Sequence, residues 1–152
     1  MHGCFLRNSQ NIVFVARILS IDYGKKRTGI AVTDPLQIIP NGLATVLTCE
    51  LMSYLRSYIE KENVERIIIG EPRKMDGTPS DNLPRVRQFV DKWRNLYPSI
   101  PIDYYDERFT SVLAHRTMID SGIGKKARQN KALVDEISAT IILQNYLQYR
   151  HK

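Results

Sequence analysis

The stretch RILSIDYGKKRTGIAVTD, Arg17 to Asp34, decides the fold. Two apolar runs rich in β-branched residues, 17–22 and 28–33, flank YGKKR, whose glycine and short polar span are those of a hairpin connection. Two antiparallel strands are expected. The first run closes on Asp22, and an ionised carboxylate beside a core costs on the order of several kcal/mol unless something compensates it. The stretch therefore poses a question: what carries the opposite charge at Asp22?

Working outward, Pro35 and the PNG tripeptide break the chain direction, and GLATVL at 42–47 follows as a third strand. CELMSYLRSYIEKEN places Leu51, Tyr54, Leu55, Tyr58 and Ile59 at helical spacing, and VERIIIG is a short continuous apolar run of the kind buried on both faces of a sheet. The cycle repeats. Residues 81–96 carry Val86, Phe89, Val90 and Trp93 at helical spacing, and PIDYYDE is a further strand ending in acids. A third helix is expected from the Thr110-Ser111 cap to Ser121-Gly122. After the basic linker GIGKKARQNK, a last helix spans about 132–149, with Val134, Ile137, Ile141 and Leu147 as its apolar stripe. The order βββαβαβαα is that of a ribonuclease H-like α/β fold: a five-stranded mixed sheet with helices on both faces, its later strands forced parallel to the first by right-handed crossovers.

A chain of 152 residues has the size of one domain, and 43% hydrophobic with 25% charged residues is globular composition without repeats or low-complexity tracts. The formal charge of +6 points to a polyanionic partner, nucleic acid before membrane, because the cations fall in loops and build no basic amphipathic face. Cys4 and Cys49 stand far apart with no nearby cysteine or histidine motif, which argues against a disulfide framework or a zinc site and fits a reducing cytoplasm. No apolar window reaches the length of a membrane-spanning helix. Residues 1–16 form a peripheral extension and 17–152 the working domain on this reading. Residues 1–14 show no pattern tying them to the fold and are expected to be peripheral, a translation start near Val15 being one reading of them.

Ligand crevices of α/β sheets lie beyond the carboxyl ends of the parallel strands. Asp22, Glu71 in IIIGEP and Glu107 in YYDERFTS fall at such ends, and Asp135 in NKALVDEISA lies near the start of the last helix, where the dipole favours an anion. Each alone reads as a turn former, a solvated acid or a first-turn residue. Together they would meet at one edge, and mutually repelling carboxylates imply a cation; all-oxygen donors without histidine or cysteine select Mg²⁺ or Mn²⁺. Basic loops punctuate the same edge: Lys25, Lys26 and Arg27; Arg73 and Lys74; Arg108; Lys125, Lys126 and Arg128. Their expected role is to hold flanking phosphates.

From Arg17 to Tyr149 the chain resembles the YqgF/RuvX family through four blocks in order, DYGKKRTGIAVTD, GEPRKMDGTPS, DERFTS and VDEISATIILQNYL. The resemblance implies a Holliday junction resolvase-like nuclease, of a family also described as processing the 5′ end of precursor 16S ribosomal RNA, with Asp22, Glu107 and Asp135 as its acidic site. Many members carry an apolar residue at the position of Glu71, which ranks it below the other three, and many have alanine at Ser138.

The chemistry expected is metal-assisted phosphodiester hydrolysis, with two divalent ions held by Asp22, Glu107 and Asp135 and no side-chain nucleophile. Structured RNA is the favoured substrate, branched DNA the alternative, and a monomer or weak homodimer the expected state. Two other classes stay open. Actin-like phosphotransferases also begin a phosphate loop with Asp-x-Gly at a hairpin but need two such domains, and a non-catalytic nucleic-acid-binding module would not need the acids.

Overall fold

A computed structural model describes residues 4–8, 11–72, 78, 80–106 and 131–150. Strands β1 (Cys4–Asn8) and β2 (Asn11–Val15) pair antiparallel in a two-stranded sheet of their own. The sequence pattern assigns no element there, because a ribbon with no large partner sheet needs no strict alternation to declare itself. The main sheet contains β3 (Arg17–Tyr23), β4 (Arg27–Thr33), β5 (Pro40–Leu47), β6 (Val64–Glu71) and β7 (Ile102–Asp106) in the spatial order β5-β4-β3-β6-β7. β4 is antiparallel to both β3 and β5, whereas β6 is parallel to both β3 and β7, so the expected mixed sheet is present. Pro40 opens β5, an edge strand and thus a place where a missing N–H is tolerated.

Helices α1 (Leu51–Lys61) and α2 (Leu83–Leu96) cover one face, and α3 (Lys131–Arg150) covers the other. The first face buries Leu19, Ile21, Ile30, Val32, Ile67 and Ile69 against Leu51, Leu55, Val86, Phe89, Val90 and Trp93. The second buries Ile18, Ala31 and Ile68 against Ala139, Ile142, Leu143 and Leu147. The core stripe of α3 therefore runs through Ala139 and Leu143, while Val134 and Ile137 are only half-buried. The helix is apolar around much of its circumference, and period alone does not select the side that meets the sheet. The helix expected over 110–121 lies outside the described residues.

The strand alternation in these two clusters fixes which residues share a face. On β3, residues 18, 20 and 22 point toward α3, and residues 19, 21 and 23 point toward α1 and α2. On β6, Ile68 and Gly70 take the α3 side, and Ile67, Ile69 and Glu71 the other.

Candidate active site

Asp22 stands next to last in β3, half-buried, directly opposite Gly29 of β4. Directly opposed residues of an antiparallel pair lie on one face with Cα atoms about 5 Å apart. At Gly29 that face has no side chain, and α3 uses the space: a Cβ there would collide with the backbone carbonyl of Asp135. The missing side chain lets the helix backbone rest on the sheet one strand away from Asp22. A second tie holds the helix in register, the buried Ser20 hydroxyl donating to the Ala139 carbonyl at 2.5 Å. Asp22 and Asp135, which are 113 positions apart in sequence, thus lie on the same side of the sheet, with the Asp135 backbone against the residue opposite Asp22.

The hairpin that follows Asp22 is pinned from three directions. Gly24 faces the Arg27 carbonyl so closely that a Cβ would overlap it, which demands glycine for the tight turn. The Thr48 hydroxyl donates to the Gly24 carbonyl at 2.7 Å, and the Thr48 N–H donates to the Lys26 carbonyl at 2.9 Å. The Asn82 amide, just ahead of α2, donates from Nδ2 to the Tyr23 carbonyl at 2.7 Å. Sequence reasoning missed Thr48 and Asn82 as positioning residues; each binds a backbone carbonyl far away in the chain, and only the helix-preceding position of Asn82 hints at a tie. Tyr23 itself faces the core, its ring 5.5 Å from that of Phe89, and burial raises its phenol pKa while the Arg85 charge opposes the shift. Of the other tyrosines, Tyr104 lies against the α2 side under the Arg94 guanidinium, and Tyr146 against the α3 side.

The structure adds the face of one acid and corrects the helix position of another. Glu71 does not share a face with Asp22 and Asp135: it follows Ile67 and Ile69 onto the α1 and α2 side, where its charge is felt by Tyr104. The near-continuous burial of β6 hides the alternation in the sequence, so its strand-end position gives the edge of the sheet and not the face. Asp135 is also not a first-turn residue. Helix α3 begins at Lys131 and has no acid in its first turn, so the dipole, which acts within that turn, contributes little to Asp135. The charge beside it is Arg27, whose Nε lies 3.7 Å from Asp135 Oδ2.

Lys25 and Lys26 are exposed at the hairpin tip, and Arg27 is half-buried behind them. Glu107, Arg73, Lys74, Arg108, Lys125, Lys126 and Arg128 lie outside the described residues. Among the described residues no three acidic, histidine or cysteine side chains gather as a metal-binding group. The donor chemistry of Asp22 with Asp135, all oxygen and fully carboxylate, fits a hard divalent cation. Among the described residues no helix is long and apolar enough to cross a membrane.

Comparison with known proteins covers nearly the same span. The family model RuvX, described as Holliday junction resolvase, matches residues 16–149. A protein of Phocaeicola vulgatus named "Putative pre-16S rRNA nuclease" is 60% identical over 134 residues, which cover 88% of this chain and 96% of that one. A Bacteroides thetaiotaomicron protein of the same name is 59% identical over 134 residues, 88% of this chain and 97% of its own. A third, from Flavobacterium psychrophilum, is 57% identical over 131 residues, 86% and 96% of the two chains. With the match running from just before β3 to the end of α3, the chain belongs to the RuvX family.

Proposed function

We propose that the protein is a metal-dependent nuclease that hydrolyses phosphodiester bonds in precursor 16S ribosomal RNA, trimming its 5′ end in the cytoplasm. The observation that carries this reading is the placement of Asp22 and Asp135 on one side of the sheet, made possible by the bare backbone at Gly29. Glu107 completes the acidic set on sequence grounds alone, as the second acid of YYDERFTS. The names of the relatives favour precursor ribosomal RNA as substrate.

Mg²⁺ or Mn²⁺, as two ions held by Asp22, Asp135 and Glu107, would supply an activated water and charge stabilisation at the leaving oxygen. The chain's own part is to fix these carboxylates on rigid elements, a strand end and a helix seated on it, and to bring cations to the substrate backbone. Lys25 and Lys26 project into solvent beside Asp22 for that purpose, with Arg73, Lys74, Arg108, Lys125, Lys126 and Arg128 as further phosphate contacts. Residues 1–16 take no part in this chemistry.

A resolvase reading follows from the family's description and predicts a stable two-fold dimer, since paired strands must be nicked symmetrically. The inward packing of Tyr104 and Tyr146 leaves those rings little to offer a dimer, and favours a monomer or weak dimer. The test is cleavage of structured RNA and of a four-way DNA junction, with and without Mn²⁺ or Mg²⁺, beside sedimentation at micromolar concentration. Metal-dependent RNA cleavage by a monomer is expected; a tight dimer making coordinated symmetric nicks would make the resolvase the better reading.

A further inference from the structure

The pairing of Arg27 with Asp135 goes beyond the phosphate-holding role that its place in a basic loop implies. The Arg27 Nε is buried and makes no hydrogen bond among the described residues. At 3.7 Å from Asp135 Oδ2 it is beyond hydrogen-bond distance yet close enough for strong Coulomb attraction. Both side chains are mostly covered, at 36% and 28% exposure, so the pair is less screened than a surface one. Leaving a guanidinium N–H buried without an acceptor is unfavourable, and so is crowding carboxylates on one side of a sheet. Each group offsets the cost of the other.

Arg27 is also held where it is. It is the first residue of β4, its carbonyl is packed against Gly24, and the neighbouring Lys26 carbonyl is bound by Thr48, so the side chain leaves the backbone at a fixed point two positions along β4 from Gly29, the partner of Asp22. Lys25 and Lys26, by contrast, are exposed and form no ion pair among the described residues.

We infer that Arg27 is the resident counter-cation of Asp135: it neutralises the carboxylate while the site holds no divalent ion, and it competes with that ion for the same oxygen. The inference rests on the metal-nuclease reading for the identity of the site. It makes Arg27 a positioning residue that sets how tightly the cation is held, distinct from the phosphate contacts at Lys25 and Lys26.

The test uses the full chain without nucleic acid, with Arg27→Gln and Arg27→Lys compared by calorimetric titration with MnCl₂. Removing a unit positive charge beside a doubly charged ion is expected to tighten Mn²⁺ binding by roughly three- to tenfold, the scale of Coulomb's law under water-like screening. Arg27→Lys, which keeps the charge, should stay within about twofold of the parent by the same Coulomb argument. Unchanged or weaker Mn²⁺ binding by Arg27→Gln would overturn the inference and return Arg27 to the phosphate contacts. A second measurement is independent of metal: thermal melts of Arg27→Gln, Asp135→Asn and the double variant in EDTA should be non-additive by about 2 °C or more, as for a partly covered ion pair in a protein of this size. Additive shifts would dissolve the pair. If the parent binds no Mn²⁺, the nuclease reading loses its metal, and the melting cycle alone decides the pairing.

Discussion

Asp22 and Asp34 stand at opposite ends of the same hairpin, each just where an apolar strand stops, and the chain treats them in opposite ways. Asp34 is satisfied by its own loop. Its Oδ1 accepts the N–H groups of Ile38 and Ile39 at 2.8 and 2.7 Å, and its Oδ2 accepts that of Leu36 at 3.1 Å. The loop is drawn tight enough that Gln37 takes a φ of 61°, and the Gln37 amide is tied to the Ala16 carbonyl and to Glu65. Asp22 meets a different environment, with a bare glycine opposite, a helix backbone seated beside it, and a cation-bearing turn after it. One aspartate completes a local structure using backbone donors; the other is held where a second carboxylate arrives from a distant helix. That difference in surroundings is what sets the proposed site acid apart from a loop-binding one, and residue type and strand-end position do not reveal it.

The largest expected effect breaks the functional end. Asp22→Asn should lower metal-dependent cleavage by at least roughly a hundredfold, more than the loss typical of a residue behind the ligands. The melting temperature of the metal-free protein should hold or rise as carboxylate repulsion is relieved. A fall in stability parallel to activity would make Asp22 a second Asp34. Glu71→Gln, on the other face, should leave cleavage within a few-fold of the parent; damage equal to that at Asp22 would show that the strand end turns Glu71 into the site.

Gly29→Ala strikes the support and leaves the acids in place. The new methyl meets the Asp135 backbone, which cannot rotate away, so α3 must lift; overpacking of this kind costs about 1–3 kcal/mol and cleavage should fall with it. Gly42→Ala is the control, because there the added carbon meets the Glu136 carboxylate, the mobile end of a flexible side chain. A thermal melt that shows equal losses at the two glycines would mean that the helix backbone is not fixed by its contact at Gly29.

Asp34→Ala tests the other end. It removes an acceptor for three N–H groups that water can then reach, so the cost should resemble that of a lost helix cap, about 1 kcal/mol, or roughly 2–4 °C in melting temperature, with cleavage unchanged. Burial pushes the Asp34 pKa up, but the N–H donors of Ile39, Ile38 and Leu36 outweigh it and hold the carboxyl below its ordinary value. With the folded value depressed, its stabilisation is present above the ordinary carboxylate pKa and is lost as pH falls through the folded one. The difference in melting temperature between parent and Asp34→Ala should therefore shrink in acid; a difference constant down to low pH would show that the carboxylate charge is irrelevant to the loop.

The hairpin was legible because its two strands combine β-branched runs with a glycine turn, and the mixed character of the sheet followed from the alternation of later elements. What stayed hidden has physical causes. VERIIIG is buried on both faces, so nothing in it told which face Glu71 would take. The stripe of α3 is legible at Ile141 and Leu147, which are buried, and not at Val134 and Ile137, because Ala139, Ile142 and Leu143 lie in a stretch with apolar residues nearly all round. The ion pair of Arg27 with Asp135 joins residues on a hairpin and a distant helix, and no local pattern encodes such a meeting. By contrast the common side of Asp22 and Asp135 was partly legible, since the strand-end position of the one and the helix position of the other pointed to one edge of the sheet.

The smallest expected effect sharpens the comparison at the hairpin tip. If Lys25 and Lys26 neutralise phosphates, each release of bound counterion steepens the fall of affinity with salt, by roughly 0.7 to 0.9 in the slope of log affinity against log salt per contact. Lys25→Gln and Lys26→Gln should each lower that slope by about this amount in fluorescence-anisotropy titrations of structured RNA, with no change in sequence preference because backbone contacts carry no base readout. Arg27→Gln should lower it less in metal-free buffer, because its charge is already engaged by Asp135. Equal slopes for all three substitutions would place Arg27 among the solvent-facing cations; unchanged slopes at both lysines would leave the turn as ordinary solvated surface, and the nucleic acid would then have to be held by the cationic loops elsewhere in the chain.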